Sequence, residues 1–466
     1  MTFQTSLFKE AGGAPNVEIA SLDTLDQLVG AMRLKGVTRL YAKTLAANDN
    51  SKNQVYFGAS FNVLPVRGEM EATKTKHGIN FHAGLDFYWL GEQGQVANAP
   101  HAKLILYPEY PEVRFSGFLR GCQAAPSALL NQKARIPGRV LFLGVTPDRQ
   151  VIGWVAKPDS PMAQALEDLE AAESESVFKV VPLGNRSATS SHRDFFIEKL
   201  LKIYGSGDSW HGGRRLNSKG EVVFPYNARN AGGYTLEALF GIRPNGSPDP
   251  DVADIELKVM SKGGRITLMT PEPTGGSYVD NFVGFMQTYG SERATEDRLD
   301  FTGTHRVGEI HPKTNLTLSL FGYDPKLGEH GSITDVDGRI QLANADGAIA
   351  ASWSFGKVLE HWANKHRYAA YVDYKHRPSG GLADKEYTYG PQVDFGAGGH
   401  PLSLLGALAN GMVYYDPGLK VKKPGKTGQR IKKRSQFRTT RKHLVHLYES
   451  YELLDLSAPG AGLSRL

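Results

Sequence analysis

Cysteine is almost absent from this chain of 466 residues, because Cys122 is its only one. One thiol cannot form a disulfide framework within the chain, and it cannot supply a cysteine-rich zinc site. The sequence also has no apolar run of transmembrane length, and its first residues show no basic-then-apolar signal pattern. We therefore expect a cytoplasmic protein without a membrane partner.

Several common catalytic motifs are missing as well. The segment Gly425-Lys426-Thr427 resembles the end of a phosphate-binding loop, but Lys420 stands where the first glycine of that motif belongs. There is no His-Glu-x-x-His motif, and Ser209 lies in no nucleophile elbow. His361 and His366 are five positions apart, a spacing that does not align them for one metal ion, so we expect them at the surface or in a groove. No nucleotide is expected as a cofactor.

What the chain does have is an uneven distribution of charge. It contains 54 Lys and Arg against 48 Asp and Glu, and eleven of the basic residues lie between Lys420 and Lys442, where there is no acidic residue. Such a block is typical of a surface that binds the phosphate backbone of nucleic acid, although a solvated loop can have the same composition. The residues of this block that we expect to contact DNA are Arg430, Lys432, Lys433, Arg434 and Arg438.

The strongest chemical signal lies between residues 237 and 260. Residues 252–260 are short, apolar and rich in β-branched side chains, which predicts a strand after the turn residues Asn-Gly-Ser-Pro. The alternation of a strand sends one set of side chains to the core, namely Ile255, Leu257 and Val259. The opposite face then receives Asp254, Glu256 and Lys258.

A carboxylate and an ammonium group on one face suit the hydrolysis of a phosphodiester bond. Carboxylate oxygens are the ligands that Mg²⁺ prefers, and this ion is usually held by one or two carboxylates together with substrate oxygens. We expect Glu256 and an Asp of the preceding turn to bind the metal, while Lys258 stabilises negative charge in the transition state. An ordinary ion pair on an exposed strand is the alternative interpretation of Glu-x-Lys.

With Glu237 in a helical pattern before it, this block resembles the PD-(D/E)xK nuclease core. More narrowly, it is similar to the MvaI/BcnI family of type II restriction endonucleases, which are relatives of the mismatch-repair nicking enzyme MutH. In that family a helical Glu precedes the motif Asp by fourteen residues, which matches Glu237 and Asp251. Four residues separate the Asp from Glu-x-Lys in one branch and six in the other, so Asp251 fits the first spacing and Asp249 the second. We prefer Asp251, because residues two apart on an extended chain lie roughly 6.5 Å apart and cannot both reach one ion.

The resemblance implies an α/β (α+β) nuclease domain over residues 186–466. It implies metal binding by Asp251, Glu256 and Glu237, with Glu237 holding the ion or positioning its water, and a transition-state role for Lys258. The implied cofactor is Mg²⁺, for which Mn²⁺ is expected to substitute. The implied partners are double-stranded DNA and a cognate DNA methyltransferase in the same restriction-modification system, and the enzyme is expected to be a monomer. The family has Gly where this chain has Asp254, so the role of that extra carboxylate stays open.

Other segments extend these predictions. Residues 263–270 read as a second apolar strand, and the helical pattern of residues 353–366 followed by the strand pattern of residues 368–377 fits the helix and strand of the same core. Residues 1–185 are expected to form a mostly-β, barrel-like accessory domain, because their short strands are separated by Gly, Pro and Asn turns. Residues 41–57 resemble the opening of the EcoRII-type effector domain, which binds a second copy of the target. A module for protein contacts or stability is the alternative.

These features predict a Mg²⁺-dependent, site-specific DNA endonuclease of type II that acts in defence against foreign DNA. Two alternatives keep the same site: a MutH-like nicking enzyme, and a methylation-dependent or partner-activated defence nuclease. A DNA-binding protein on a decayed nuclease scaffold is the third, and the intact set of acidic residues and lysine argues against it.

Overall fold

The computed structural model describes residues 22–458 apart from 48–52, 59–63, 77, 109, 111, 132–135, 170–173, 184–191, 206–208, 244–250, 252–254, 262 and 328–329. The helices of the described residues are α1 (Leu25–Leu34), α2 (Ser127–Leu130), α3 (Pro161–Glu167), α4 (His192–Tyr204), α5 (Ala231–Phe240), α6 (Ser277–Asp280), α7 (Phe282–Tyr289), α8 (Phe355–Lys365) and α9 (Pro401–Ala409). Within the same described residues, two 3₁₀ helices span Ala294–Glu296 and Arg441–Leu447. No helix in these parts of the chain is long and apolar enough to cross a membrane.

The strands of the N-terminal part are β1 (Arg39–Leu45), β2 (Gln54–Tyr56), β3 (Arg67–Thr75), β4 (Gly78–Gly84), β5 (Phe87–Leu90), β6 (Val96–Asn98), β7 (Lys103–Tyr107), β8 (Glu112–Ser116), β9 (Arg139–Val145), β10 (Val151–Ala156), β11 (Ser174–Glu175) and β12 (Phe178–Val181). Those of the rest are β13 (His211–Gly212), β14 (Arg215–Leu216), β15 (Val222–Val223), β16 (Ile255–Met260), β17 (Arg265–Met269), β18 (Ser291–Arg293), β19 (Arg298–Thr302), β20 (Thr317–Phe321), β21 (Tyr323–Asp324), β22 (Ser332–Ile333), β23 (Arg339–Ala343), β24 (Ile349–Ser354), β25 (Tyr368–Pro378), β26 (Lys385–Ala397), β27 (Tyr414–Tyr415), β28 (Gly418–Lys422), β29 (Arg430–Lys432), β30 (Phe437–Thr440) and β31 (Ser450–Asp455).

The first of two compact units consists of Met1–Asn53, Asp86–Pro100 and Phe118–Asn185. Its seven-stranded sheet has the order β11-β12-β1-β9-β10-β5-β6, and only the pair of β10 and β5 is parallel. Apolar side chains of α1 and α3 pack on this sheet and are buried there with residues of β1, β9 and β10. Strands β1 and β9 are among the short strands that the sequence predicts for residues 1–185, and both are confirmed.

The second unit consists of Gln54–Leu85, His101–Gly117 and Arg186–Leu466. It therefore includes the antiparallel sheet β2-β8-β7-β4-β3, which belongs to the N-terminal part of the sequence. This sheet joins the second unit because β3 packs against the start of α8. The hydroxyl of Ser354, which caps α8, donates a hydrogen bond to Glu69 Oε1 at 2.6 Å. The division thus differs from the single barrel-like domain expected for residues 1–185, whose strands are shared between two sheets and two units.

The sheet that positions the candidate site has the order β13-β26-β25-β16, and β31 also pairs with β26. Its β16 and β25 are parallel, whereas its other pairs are antiparallel. Helices α4 and α5 cover one face, where Phe196, Leu200, Leu236 and Phe240 are buried against the strands. Helix α8 followed by β25 is the helix and strand that the sequence predicts downstream, and β25 lies directly beside β16.

Two smaller sheets complete the surroundings of the site. Strand β17, predicted as a second apolar strand, is confirmed, but it pairs with β30 in a separate sheet of order β17-β30-β27. The sheet β18-β19-β28-β29 contains four of the eleven basic residues between Lys420 and Lys442, namely Lys420, Lys422, Arg430 and Lys432. Helix α7 packs on this second sheet through Phe285 and Phe301, whose ring centres are 4.9 Å apart.

Candidate active site

Strand β16 separates its side chains between a core and a polar site. Ile255 and Leu257 are buried in the core beneath α4 and α5, and Val259 packs against the same cluster. Glu256 and Lys258 contact each other on the other face, where Lys258 Nζ donates a hydrogen bond to Glu256 Oε1. The alternation predicted for these five residues is confirmed. Side chains two apart on a strand share a face, and the parallel neighbour β25 holds this register.

Glu256 is a buried carboxylate held between two lysines. Its exposed fraction is 0%, and Lys365 Nζ lies 3.3 Å from its Oε1 and 3.5 Å from its Oε2. Burial by itself would raise the pKa of Glu256, but the positive charges of Lys258 and Lys365 outweigh it and hold this pKa below its usual value. Glu256 is therefore ionised at neutral pH.

Lys258 keeps its proton for the reciprocal reason. Burial opposes its charge, but the carboxylates of Glu256 and Asp251 overcome that effect and raise the pKa of Lys258 above its usual value. Its side chain is 24% exposed. The site thus keeps a positive charge beside the carboxylate of Glu256.

The carboxylate of Asp251 binds the backbone of strand β16. Its Oδ2 accepts a hydrogen bond from the backbone N–H of Leu257 at 3.0 Å. Strand β16 is last in the strand order of its sheet, so Asp251 binds a backbone group on the side away from β25. Burial, and then the nearby charge of Glu256, raises the pKa of Asp251. The alternatives Asp249 and Asp254 lie outside the described residues.

Glu237 lies on α5, the helix that packs on this sheet. The helix ends at Gly241, whose φ of 79° is in the left-handed region that favours glycine. Burial, and then the charge of Asp251, raises the pKa of Glu237 to about 7, although Lys258 and Lys365 act in the opposite direction. The structure therefore brings together all four residues that the sequence singled out for catalysis and metal binding.

Lys365 is a member of this cluster that the sequence did not identify. It is the last residue of α8, and its side chain is 18% exposed. The only sequence signal was a lysine at the end of a helix that leads into a strand. That signal becomes informative only when β25 is known to pair with β16, because the pairing brings the end of α8 to Glu256.

His366, directly after Lys365, contradicts the expectation of a surface or groove position. It is fully buried and stacks on Trp362, with ring centres 3.9 Å apart. Its Nε2 lies 3.0 Å from the carbonyl oxygen of Leu268, which can only accept, so Nε2 carries the proton. Its Nδ1 then accepts from the Tyr448 hydroxyl at 2.8 Å. Burial lowers the pKa of His366 to about 3, so this neutral ring anchors the end of α8 beside the site.

The sequence model of the MvaI/BcnI restriction endonuclease family matches residues 197–448, which is more than half of the chain. The chain belongs to this family. It is thereby a type II restriction endonuclease, and the matched region contains all of the residues that form the site. The resemblance inferred from the sequence is confirmed.

Comparison with solved structures gave restriction endonuclease MvaI in two states. The complex of MvaI with its cognate DNA substrate is 16% identical, with a TM-score of 0.44, and MvaI in the absence of DNA is 15% identical, with a TM-score of 0.31. Each alignment covers 57% of this chain and 99% of the MvaI chain. A search of curated proteins found no match. The family assignment rests on the sequence model.

Restriction endonucleases of this family generally use divalent metal ions, and the carboxylates of the site fit such an ion. Three carboxylates, those of Glu237, Asp251 and Glu256, lie in one cluster with two lysines, and burial followed by the neighbouring carboxylates raises the pKa values of Glu237 and Asp251. Among the described residues no three acidic or histidine side chains form a ready cage for a metal. A hard cation that retains water and also binds substrate oxygens needs only one or two carboxylates, which Asp251 and Glu256 could supply.

The five basic residues that the sequence assigned to DNA differ in whether they have partners within the protein. Arg430 and Lys432 on β29 are exposed, as is Arg434 just after it. Lys433 lies over the rings of Tyr278 and Phe282, 4.9 and 4.7 Å from their centres. Arg438 forms an ion pair with Asp416 at 2.7 Å, which Asp416 shares with Arg265. Lys433 and Arg438 thus have partners within the protein.

Proposed function

We propose that this restriction endonuclease is a Mg²⁺-dependent, site-specific enzyme that hydrolyses double-stranded DNA with a PD-(D/E)xK site and serves in defence against foreign DNA. The observation that carries the proposal is the arrangement around β16, where Lys258 contacts Glu256 and Asp251 binds the backbone of the same strand. A cognate DNA methyltransferase would protect the host DNA.

Each residue of the site has a distinct part in this proposal. Asp251 and Glu256 would hold the metal, which polarises the phosphate and lowers the pKa of water. Glu237 would orient the attacking water and accept its proton, because a pKa of about 7 suits a general base at neutral pH. Lys258 would donate to the phosphate oxygens as negative charge develops on them.

The direct test is incubation of the purified protein with unmethylated supercoiled plasmid, with Mg²⁺ or with EDTA. Discrete linear fragments that need Mg²⁺ are expected. Accumulation of nicked circles alone would assign a nicking enzyme instead. Cleavage restricted to methylated plasmid would assign a methylation-dependent nuclease, and binding without cleavage in either plasmid would contradict a catalytic role.

Glu237 gives a pH prediction that does not depend on cleavage. Its folded-state pKa of about 7 lies above its ordinary value of 4.5, so between these pH values the folded protein binds more protons than the unfolded chain. The contribution of Glu237 to the free energy of unfolding of the metal-free protein should therefore fall as pH rises through this window, whereas buried histidines such as His366, whose pKa is lowered, act in the opposite direction. A divalent cation relieves the repulsion among the ionised carboxylates. The rise in melting temperature caused by Mg²⁺ should be small at pH 5.5 and larger at pH 8.

The measurement is thermal unfolding in Mg²⁺ and in EDTA at both pH values. In the Glu237→Gln variant the rise in melting temperature caused by Mg²⁺ should differ less between the two pH values than in the unaltered protein, because the amide cannot titrate, whereas Glu360→Gln should keep the full difference. Glu360 is a suitable control since its partners Lys357 and Asn364 lie on the same helix, α8. Equal shifts at the two pH values in the unaltered protein would contradict the prediction.

Lys365 gives a second prediction. Lys365→Met should slow single-turnover cleavage about 100-fold, because it removes one of the two cations that neutralise Glu256 and could reach the phosphate. DNA binding should change little. Lys357→Met is the matched control on the same helix, since Lys357 pairs with Glu360 and not with the site. Cleavage at the unaltered rate in Lys365→Met would show that this lysine only fills space.

A further inference from the structure

The sheet β18-β19-β28-β29 has two unlike faces. Its apolar face is buried under α7, and the side chains that form it include Leu299, Phe301, Leu419 and Val421. Alternation along the strands places the intervening residues on the opposite face. We call this opposite face the cationic face.

The strand register concentrates positive charge on the cationic face. Lys420 lies directly opposite Lys432, and Lys422 lies directly opposite Arg430. On the other side of β28, Lys420 lies opposite Asp300, and Lys422 lies opposite Arg298, which is in turn opposite Arg293. The one carboxylate at these positions, Asp300, is taken by Arg298 at 2.8 Å.

This arrangement of positive charges lowers the stability of the protein when no ligand is bound. Like charges directly opposite each other on neighbouring strands destabilise a sheet, and here two such pairs are adjacent in one hairpin. Among the described residues, no acidic side chain forms an ion pair with Lys420, Lys422, Arg430 or Lys432. Lys422, Arg430 and Lys432 are exposed, so solvent screens the repulsion until an anion arrives.

Other basic residues of the same segment do form ion pairs with acidic side chains. Lys426 pairs with Asp297 at 3.0 Å, Arg438 with Asp416 at 2.7 Å, and Arg441 with Asp373 at 3.1 Å. Among the described residues, acidic side chains therefore pair with basic side chains close to the hairpin and with Arg298 of the cationic face, but not with Lys420, Lys422, Arg430 or Lys432. A polyanion is the ligand that such a face attracts.

The cationic face continues toward the catalytic carboxylates. The carbonyl of Arg434, two residues after β29, accepts a hydrogen bond from Gly418 at the start of β28, so Arg434 directly follows the hairpin. The positive charge of Arg434 acts on the hydroxyl of Tyr234, and so does the carboxylate of Glu237, which is three residues further along α5. Arg434, which follows the hairpin, and Glu237 of the candidate active site thus both influence the pKa of Tyr234, in opposite directions.

We propose that the cationic face is a binding track for duplex DNA, in which Lys420, Lys422, Arg430 and Lys432 hold backbone phosphates away from the scissile one. This inference rests on the proposed function, because it takes the DNA cut at the site as the occupant. It adds Lys420 and Lys422 to the DNA-binding residues. It does not depend on Lys433 or Arg438, which contact aromatic rings and Asp416 within the protein.

The test compares two variants of equal charge change, both in EDTA so that no cleavage occurs. Lys420→Gln/Lys432→Gln removes one opposed pair of the track, and Lys426→Gln/Lys357→Gln removes two lysines that have acidic partners. Affinity is measured for duplexes of about 30 and about 12 base pairs, from about 50 to about 200 mM salt. On the long duplex the track variant should lower the slope of log affinity against log salt by about 2, because each phosphate that a lysine neutralises adds about 0.9 to that slope. The affinity of the track variant should decrease less on the short duplex.

The control variant should keep the slope of the unaltered protein. The proposed track would be contradicted if all three proteins had equal slopes of log affinity against log salt, or if both variants lowered this slope equally. The melting temperature of the track variant should not fall, because the substitution relieves a repulsion between like charges. A lower melting temperature with an unchanged slope would assign these lysines to the fold and overturn the proposal. Lys422→Gln/Arg430→Gln provides an independent repeat with the second opposed pair.

Failure of the track and failure of the proposed function give different results. The binding slopes in EDTA report on the track, whereas Mg²⁺-dependent cleavage of plasmid reports on the function. A protein that binds with the expected slopes but never cuts would contradict the function alone. A protein that cuts but shows equal slopes in all variants would contradict the track alone.

Discussion

Replacing Lys258 by Met should slow DNA cleavage by about 1,000-fold while DNA affinity changes by no more than about twofold. The ammonium group contacts Glu256 within the site, and its raised pKa keeps it charged at neutral pH. Because it can stabilise negative charge that develops on the phosphate during reaction, its loss should reduce the rate of the chemical step. Methionine retains most of the volume of the side chain, so the surrounding packing is preserved.

The measurement is single-turnover cleavage at saturating enzyme, with affinity determined separately in EDTA. Lys357→Met serves again as the control, because it removes a lysine of the same unit that pairs outside the site. If Lys258→Met bound DNA poorly and cut at the normal rate once saturated, Lys258 would be a binding residue and not a catalytic one.

The second large effect is expected for Glu256→Gln, which should abolish Mg²⁺-dependent cleavage. Glu256 is fully buried, and both Lys258 and Lys365 contact its carboxylate. An amide is a weaker ligand for Mg²⁺, and it leaves two neighbouring ammonium groups without their shared anion. We therefore expect two separate losses, one in metal binding and one in the stability of the metal-free protein.

Thermal unfolding distinguishes these losses. In EDTA the variant should be less stable by about 1–3 kcal/mol, and Mg²⁺ should no longer raise its melting temperature. The control is Glu360→Gln, in which another largely buried carboxylate is replaced without touching the site. Normal cleavage, or a normal stabilisation by Mg²⁺, in Glu256→Gln would remove Glu256 from the metal site and refute the assignment.

Local sequence was sufficient for the centre of the site. The period of two in β16 assigns Ile255 and Leu257 to the core and Glu256 and Lys258 to one polar face, because the geometry of a strand alone determines that pattern. The spacing from Glu237 to Asp251 pointed to a family that the sequence model then confirmed. The helix and strand after residue 353 were predictable from their periodicity.

Contacts between segments far apart in the chain could not be predicted from local sequence patterns. Lys365 is 109 residues from Glu256 along the chain, and only the pairing of β25 with β16 brings the two together. The sequence predicted a surface or groove position for His366, yet this histidine is buried. A backbone carbonyl and a tyrosine hydroxyl form hydrogen bonds with its two ring nitrogens, which makes burial possible. Neither partner is close to it in sequence.

The sequence by itself determined the chemistry of this protein: its family, its acidic residues and lysine, and a basic segment of eleven positive charges. These follow from residue types and short spacings, which a single strand or helix converts directly into geometry. The tertiary structure decided which positive charges have acidic partners, which residues of the N-terminal part belong to the second unit, and that Lys365 joins Glu256. The reason is physical: ion pairing, burial and strand register depend on segments far apart in the chain, and only folding brings those segments together.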